Sequence, residues 1–162
     1  MKKKYEIAQE ITAKRERYEQ ATERLMEAVE DRPEISVVGY DINAPSDGVF
    51  VAQPIGFPDL WGYEEIFGVT FEGPQSDDLI YWEKLSPENA DKYLADVIMI
   101  DRREPSPPFS ELEQGLPLWN ELPAVKSDQI VPWYVPGSGS YSRDARAMEL
   151  LADAIANAED VA

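Results

Sequence analysis

Residues 95–103 of this chain have the sequence ADVIMIDRR. The four consecutive apolar residues, 97–100, are typical of a strand that is buried on both faces. Two arginines, Arg102 and Arg103, follow directly after this strand and the aspartate that ends it. The elements on either side of this strand then determine which fold class the sequence predicts.

Strands and helices alternate outward from this strand. Upstream, the sequence predicts strands at 35–40 and 49–52, a short helix from Pro58 to Gly68, an extended segment at 79–82 and a capped helix from Ser86 to about Tyr93. Downstream, it predicts a proline-rich loop at 102–108, a helical turn at 116–122, a strand at 129–134 and a last helix at 142–159. This order predicts an α/β, three-layer Rossmann-like domain with a central, mostly parallel sheet flanked by helices.

Residues 3–31 form a separate pattern, a single long helix. Apolar residues recur at helical spacing, and no glycine or proline interrupts the segment before Pro33. The apolar stripe is thin for this length. We therefore expect the helix to pack against the domain over only part of its length.

Composition excludes several classes of site. The chain has no cysteine and no histidine, so it can hold neither a thiol nor an imidazole site, and any metal bound by the protein alone would need carboxylates. The net charge is −17. Residues 1–32 carry equal numbers of acidic and basic side chains, so the whole excess lies in residues 33–162, which argues against nucleic-acid binding.

Neither a membrane span nor an export signal is expected. No run of 18 apolar residues occurs. The basic start at residues 1–4 is not followed by an apolar signal segment, so we expect that this chain alone would not be exported.

Three stretches carry a resemblance to a known family. They are residues 81–85, YWEKL; residues 95–101, ADVIMID; and residues 117–131, in which PLW, LPAVK and QIV follow one another. In this order they resemble the iron–siderophore substrate-binding proteins of ABC importers, a two-lobed class of periplasmic binding proteins whose lobes are joined by a long helix.

The resemblance implies a role and a domain organisation. Residues 1–32 would be the interlobe strut helix and residues 33–162 the C-terminal α/β lobe, with the N-terminal lobe absent from the chain. The function implied is the C-terminal half of a clamp that captures a ferric siderophore and delivers it to ABC permease subunits. No covalent chemistry and no intrinsic cofactor are implied, and the full-length protein would be periplasmic or a cell-surface lipoprotein.

The candidate ligand-binding residues lie mostly at predicted strand ends, since α/β sheets bind ligands beyond the carboxyl ends of their strands. Arg102 and Arg103 are candidates for contacting ligand oxygens, as neighbouring cations in an acidic domain. Aromatic candidates for the faces of a large chelate are Tyr40, Trp61, Trp133 and Tyr134. Since one of two successive strand residues faces each side, we expect one arginine to face the ligand and the other the flank.

A second surface is implied by the resemblance. Family members dock onto the permease through acidic residues at the outer tip of each lobe. Glu64 and Glu65, on the short helix near the expected tip, are the candidates for this contact.

Two other functions remain open at this point. The chain could be a stand-alone acidic interaction module whose long helix pairs with another chain. A magnesium-dependent α/β enzyme using Asp41, Asp101 or Glu83 is a further alternative, although no nucleophile, phosphate loop or glycine-rich fingerprint accompanies these acids.

Overall fold

A mixed β-sheet forms the centre of the molecule. The structure, a computed structural model, describes residues 2–78, 81–103, 106–134 and 139–162. Within these residues the strands are β1 (Ser36–Asp41), β2 (Val49–Ala52), β3 (Thr70–Phe71), β4 (Trp82–Leu85), β5 (Val97–Asp101) and β6 (Ile130–Trp133). Their order is β4-β2-β1-β5-β6, and the short β3 also pairs with β1.

The sheet is mostly parallel. β3 and β5 both pair with β1 in parallel, and β6 continues in parallel beyond β5. β2 is antiparallel to both β1 and β4. β5 is buried along its whole length, as its run of apolar residues predicted.

Helices cover both faces of the sheet and bury two separate apolar clusters. On one face lie α1 (Lys2–Asp31), α2 (Pro58–Glu65) and α5 (Tyr141–Asn157), over a cluster that includes Leu25, Leu60 and Leu151. On the other lie α3 (Phe109–Gly115) and α4 (Pro123–Lys126), over a cluster that includes Leu112 and Ala124. The predicted α/β layers are therefore confirmed. No helix among the described residues is long and apolar enough to cross a membrane.

The N-terminal helix is continuous, as predicted, and only its second half is packed. Its 30 residues correspond to about 45 Å. Residues 3–17 are exposed, and burial begins around Ala21 and Leu25. The packed half runs parallel to α5, since the ring of Tyr18 meets that of Tyr141 at 5.4 Å and Arg32 Nη2 donates to the carbonyl of Ala158 at 2.9 Å.

The helical segments between β4 and β6 differ from the prediction. The helix predicted from Ser86 to Tyr93 is only a 3₁₀ turn, Pro87–Asn89. The hydroxyl of the buried Tyr40 donates to the carbonyls of Ala90 and Tyr93, which holds this segment in its turn geometry against the sheet. α3 was not predicted, because prolines dominate the sequence before it; Pro108 is its N-cap residue.

The extended segment predicted at 79–82 overlaps the start of β4 at Trp82. β4 begins at Trp82 and continues to Leu85, where it pairs with β2. Leu79 and Ile80 lie outside the described residues.

Candidate ligand-binding edge of the sheet

Three parallel strands end side by side, at Asp41 of β1, Asp101 of β5 and Trp133 of β6. Tyr40 is level with Ile100, and Asp101 is level with Trp133. We call this row the carboxyl edge. Because strand residues alternate between faces, its three side chains lie on the same face of the sheet, the one that α1, α2 and α5 cover.

The exposed half of α1 extends past this edge. α5 begins after β6 ends, so its first residue, Tyr141, lies at the level of the carboxyl edge. Tyr18 meets Tyr141 there, and the residues before Tyr18 continue for about 20 Å with exposed side chains. The exposed half of α1 therefore projects beyond the carboxyl edge.

At the edge, Asp101 and Arg103 form an ion pair. Asp101 is 3% exposed, and its Oδ2 accepts from Arg103 Nε at 2.8 Å and lies 2.5 Å from Nη2. The Asp101 Oδ1 accepts from the backbone amide of Arg103 at 3.0 Å. The Arg103 side chain is 52% exposed, so its remaining N–H groups are open to a ligand.

Asp41 is the half-buried neighbour of this pair. Burial raises the pKa of its carboxyl, and the negative charge of Asp101 raises it further. The guanidinium of Arg103 and a 3.3 Å hydrogen bond from Asn43 Nδ2 act in the opposite direction. At the carboxyl edge, the carboxyl groups of Asp41 and Asp101 therefore lie beside the single guanidinium of Arg103.

Arg102 has different neighbours from Arg103. Its Nη1 donates to the carbonyl of Pro107 at 2.8 Å, and its guanidinium lies 4.9 Å from the ring centre of Phe109 in α3. Its backbone amide donates to Trp133 O at 2.8 Å, which continues the strand geometry past the end of β5. The two arginines diverge, and Arg103 is the one held beside the carboxyl edge.

Two of the aromatic candidates lie inside the core. Trp133 is 2% exposed and packs on Phe57 and Trp82, with its indole Nε1 donating to Asp59 Oδ2 at 2.8 Å. Tyr40 is 1% exposed and lies in the cluster on the opposite face, where burial raises the pKa of its phenol. Neither ring is accessible to solvent. Contact of either ring with a ligand stays a prediction.

The other two aromatic candidates are on the surface. Tyr134, directly after β6, is 53% exposed, and Trp61 on α2 is 45% exposed. Both therefore have ring surface that a ligand could cover.

The acidic pair on α2 lies close to Trp61 in sequence. Glu65 is exposed and Glu64 is partly buried. Burial raises the pKa of the Glu64 carboxyl, and the charge of Glu65 raises it further. These positions are compatible with a surface contact, and docking itself stays a prediction.

The sequence reasoning did not single out Tyr81 or Asp59. Tyr81 is 56% exposed and its ring meets that of Phe57 edge-on at 5.9 Å. Asp59 looks in sequence like an ordinary acid in the first turn of a helix. Only the indole of Trp133, 74 residues away, shows that its carboxylate points inward.

No metal centre is formed by the described part of the chain, where no group of three or more acidic side chains is placed to hold an ion. The edge can offer a ligand the half-exposed guanidinium of Arg103, the half-buried carboxyl group of Asp41 and the exposed ring of Tyr134.

Comparison with known proteins relates this geometry to solved structures. No protein-family model and no curated protein sequence matches the chain. A ferric-siderophore receptor protein of Streptomyces coelicolor, DesE, is 32% identical with a TM-score of 0.81, over 93% of this chain and 50% of DesE.

More distant structures share the fold. The siderophore periplasmic binding protein from the fuscachelin gene cluster of Thermobifida fusca is 19% identical, with a TM-score of 0.66 over 90% of this chain and 53% of that protein. FhuD2 of Staphylococcus aureus, solved with bound ferrioxamine B, is 16% identical, with a TM-score of 0.59 over 95% of this chain and 60% of FhuD2. The chain therefore spans about half the length of these proteins.

Proposed function

We propose that this chain, which has the fold of one lobe of the ferric-siderophore periplasmic binding proteins, is the C-terminal half of a clamp that binds a ferric siderophore for an ABC importer. The siderophore holds the iron, so it is the ligand and no intrinsic cofactor is needed. The related structures are binding proteins, which fits a protein that performs no chemistry on its ligand.

The observation that carries the proposal is the position of the carboxyl edge. It lies at the base of the projecting half of α1, where Tyr5, Ile7 and Ile11 are 70%, 49% and 54% exposed. Ile7 and Ile11 are one helical turn apart and share a face of α1, and adjoining exposed apolar side chains of this kind are typical of a contact surface. In a two-lobed protein, a second lobe on this segment would face the carboxyl edge and enclose the ligand between the lobes.

Arg103 is the proposed polar contact to the ligand. Asp101 fixes its guanidinium, and more than half of the side chain remains exposed. A fixed guanidinium loses less conformational freedom when it binds chelate oxygens, which strengthens a charge-assisted hydrogen bond. Arg102, over the ring of Phe109, is proposed as the flank residue.

Aromatic rings are the proposed apolar contacts. Tyr134 and Trp61 have the exposed surface for this role, and Tyr81 joins them. We propose that Trp133 and Tyr40 contribute indirectly, because their buried rings fix the ends of β6 and β1. Such rings suit the large, partly apolar surface of a chelate.

Delivery to permease subunits is proposed to use Glu64 and Glu65 on α2. Complementary charges steer association and set its rate more than its affinity.

Delivery of a siderophore to an ABC permease requires a full-length protein that is periplasmic or anchored at the cell surface as a lipoprotein. We propose residues 1–32 as its interlobe helix and residues 33–162 as its lobe.

Neither alternative has a supporting observation. The acids of the enzyme alternative do not form a metal-binding group within the described residues, and Asp101 is paired with Arg103. The interaction-module alternative does not explain why this chain is similar in sequence and fold to half of DesE.

The test measures ligand-induced quenching of tryptophan fluorescence in a protein that joins this lobe to a complementary N-terminal lobe. A panel of ferric hydroxamate, catecholate and carboxylate siderophores is titrated, with the iron-free chelators as controls. At least one ferric complex should bind with submicromolar Kd and more tightly than its iron-free form. If no ferric chelate in the panel binds, the proposed function is wrong.

A further inference from the structure

The positive charge of Arg103 at the carboxyl edge is compensated at close range by Asp101. Asp101 Oδ2 accepts from Arg103 Nε at 2.8 Å and lies 2.5 Å from Nη2, and the aspartate is 3% exposed. A carboxylate in two contacts with one guanidinium is a strong, charge-assisted pair. The exposed N–H groups of Arg103 can still donate hydrogen bonds, but a ligand beside them meets an ion pair whose two charges cancel.

Asp41 adds a negative charge beside this ion pair. It lies on β1 next to Asp101 of β5, because the residues before them, Tyr40 and Ile100, are level in the sheet. Its side chain is half-buried, and its Oδ2 accepts a hydrogen bond from a neutral group, the side-chain amide of Asn43, at 3.3 Å. The ionisable side chains described at the edge therefore leave one negative charge uncompensated.

The pKa of Asp41 agrees with this balance of charges. Burial raises it and the charge of Asp101 raises it further, and the guanidinium of Arg103 and the amide of Asn43 offset only part of the increase. A carboxylate in this position is stabilised when positive charge approaches it and destabilised when negative charge does.

Arg102 does not supply the missing positive charge. Its guanidinium lies 4.9 Å from the ring centre of Phe109 in α3, which covers the opposite face of the sheet, and it is not among the groups that shift the pKa of Asp41. The rest of the lobe has the same sign as Asp41, since the whole excess of the net charge of −17 lies in residues 33–162. A ligand at the carboxyl edge therefore meets a negative potential.

We propose that Asp41 makes this lobe select its ligand by net charge, so that neutral or cationic ferric chelates bind and anionic ones are disfavoured. The inference rests on the proposed clamp function and narrows the class of chelate within it. A ferric ion in three hydroxamate groups forms a neutral core, whereas in three catecholate groups it forms a core with three negative charges. A chelate that contacts Arg103 brings its core beside Asp41, so the neutral core is the class that suits this edge.

The first test uses two ligands of equal size in the two-lobed protein. The N-succinamoyl and N-succinyl derivatives of ferrioxamine B share one ferric tris-hydroxamate core and one arm length, and only the second ends in a carboxylate. In fluorescence titrations at low ionic strength the neutral derivative should bind about threefold to tenfold more tightly, as expected for one unit of charge near a surface carboxylate. Ferric enterobactin, a tris-catecholate, should bind at least about thirtyfold more weakly than the neutral derivative.

Failure of this inference differs from failure of the clamp function. Across the siderophore panel, the ferric chelate that binds most tightly should be neutral or cationic. An anionic chelate in that place, or equal affinity for the two derivatives, would overturn the charge selectivity and leave the clamp function intact. If no ferric chelate in the panel binds, the clamp function is wrong and the selectivity is wrong with it.

Asp41→Asn tests the residue itself. Because burial and Asp101 disfavour the charge of Asp41, the variant should fold at least as stably as the wild type, and its preference for the neutral over the anionic derivative should fall to less than about twofold. Asp31→Asn, at an exposed acid in the end of α1 that precedes β1, lies at the opposite end of the sheet and should keep the wild-type preference. If Asp41→Asn keeps it too, another group sets the selectivity and the assignment to Asp41 is wrong.

Discussion

Asp101 Oδ2 accepts from Arg103 Nε at 2.8 Å, two residues further along the chain, and the 3% exposure of the aspartate contrasts with the 52% exposure of the arginine side chain. The buried partner cannot move without disturbing β5, so it fixes the exposed one. The ion pair thereby holds the exposed guanidinium of Arg103 in a defined orientation at the end of β5.

The first prediction is that Asp101 and Arg103 are energetically coupled. Arg103→Ala leaves a buried carboxylate without its cation and should lower the free energy of unfolding by about 1–3 kcal/mol. In the double variant with Asp101→Asn this loss should be smaller, with a coupling of about 1–3 kcal/mol in a urea-unfolding double-mutant cycle. Additive effects within error would show that the contact contributes nothing.

The second prediction separates the two arginines by function. In the two-lobed protein, Arg103→Ala should weaken ferric-siderophore binding by about tenfold to a hundredfold, because a charge-assisted contact is worth about 1.5–3 kcal/mol. Arg102→Ala should change affinity by less than about threefold, since its guanidinium is engaged by Pro107 and Phe109. Fluorescence titration measures both. A larger loss from Arg102→Ala would exchange their roles, and no loss from either would remove the pair from the site.

The third prediction concerns Tyr40. Tyr40→Phe removes a hydroxyl that donates to the carbonyls of Ala90 and Tyr93 at 3.1 and 3.2 Å. Thermal unfolding should show a loss of about 1–2 kcal/mol, because buried acceptors lose their donor. Siderophore affinity of the two-lobed protein should remain within about twofold of the wild type. A tenfold loss of affinity at unchanged stability would return Tyr40 to the ligand site.

The fourth prediction links Asp96 to acid stability. Burial alone would raise the pKa of its carboxyl, but hydrogen bonds from the amides of Ser36, Val161 and Ala162 and from the Ser36 hydroxyl outweigh burial and lower it. A carboxyl whose pKa is lower in the folded state stabilises the fold above its unfolded pKa of about 3.9, and this contribution is lost as the pH falls through the folded value.

Asp96→Asn should therefore cost about 2–3 kcal/mol at pH 7, and much less at pH 2–3, where the wild type is protonated as well. Urea unfolding at a series of pH values measures this difference. Asp47→Asn, at an exposed acid, is the matched control and should change stability little at any pH. A pH-independent loss at Asp96 would show that the charge is not the cause.

The fifth prediction compares two glycines. Gly48 has a φ of 89°, and a Cβ there would lie 1.9 Å from the carbonyl oxygen of Leu85. Gly48→Ala should thus cost about 3 kcal/mol or more, because strain and a backbone clash add. Gly62, inside α2, has open space around its Cβ position, and Gly62→Ala should be neutral or stabilise by up to about 1 kcal/mol. Equal effects in thermal unfolding would contradict the β2–β4 contact at Gly48.

Local patterns in the sequence were enough to predict the fold class of this protein and its long N-terminal helix. The α/β class follows from the apolar run at 97–100 and the helix starts around it, and the continuous α1 follows from a segment that contains neither glycine nor proline. These features depend on neighbours in sequence. The absence of cysteine and histidine likewise decides, without a structure, that thiol and imidazole chemistry are excluded.

The tertiary structure alone decided which side chains point outward. Trp133 ends β6 and Tyr134 directly follows it, and although the two aromatic residues are of similar character, Trp133 is buried by packing against Phe57 and Trp82 while Tyr134 stays exposed. Tyr40 similarly required partners 50 residues away, whose carbonyls draw its hydroxyl into the core. Asp59 became a buried acceptor through the Trp133 indole. The burial of a side chain depends on contacts between segments that are distant in sequence. A single sequence shows only the spacing of residues along the chain, so it does not reveal which distant segments come into contact.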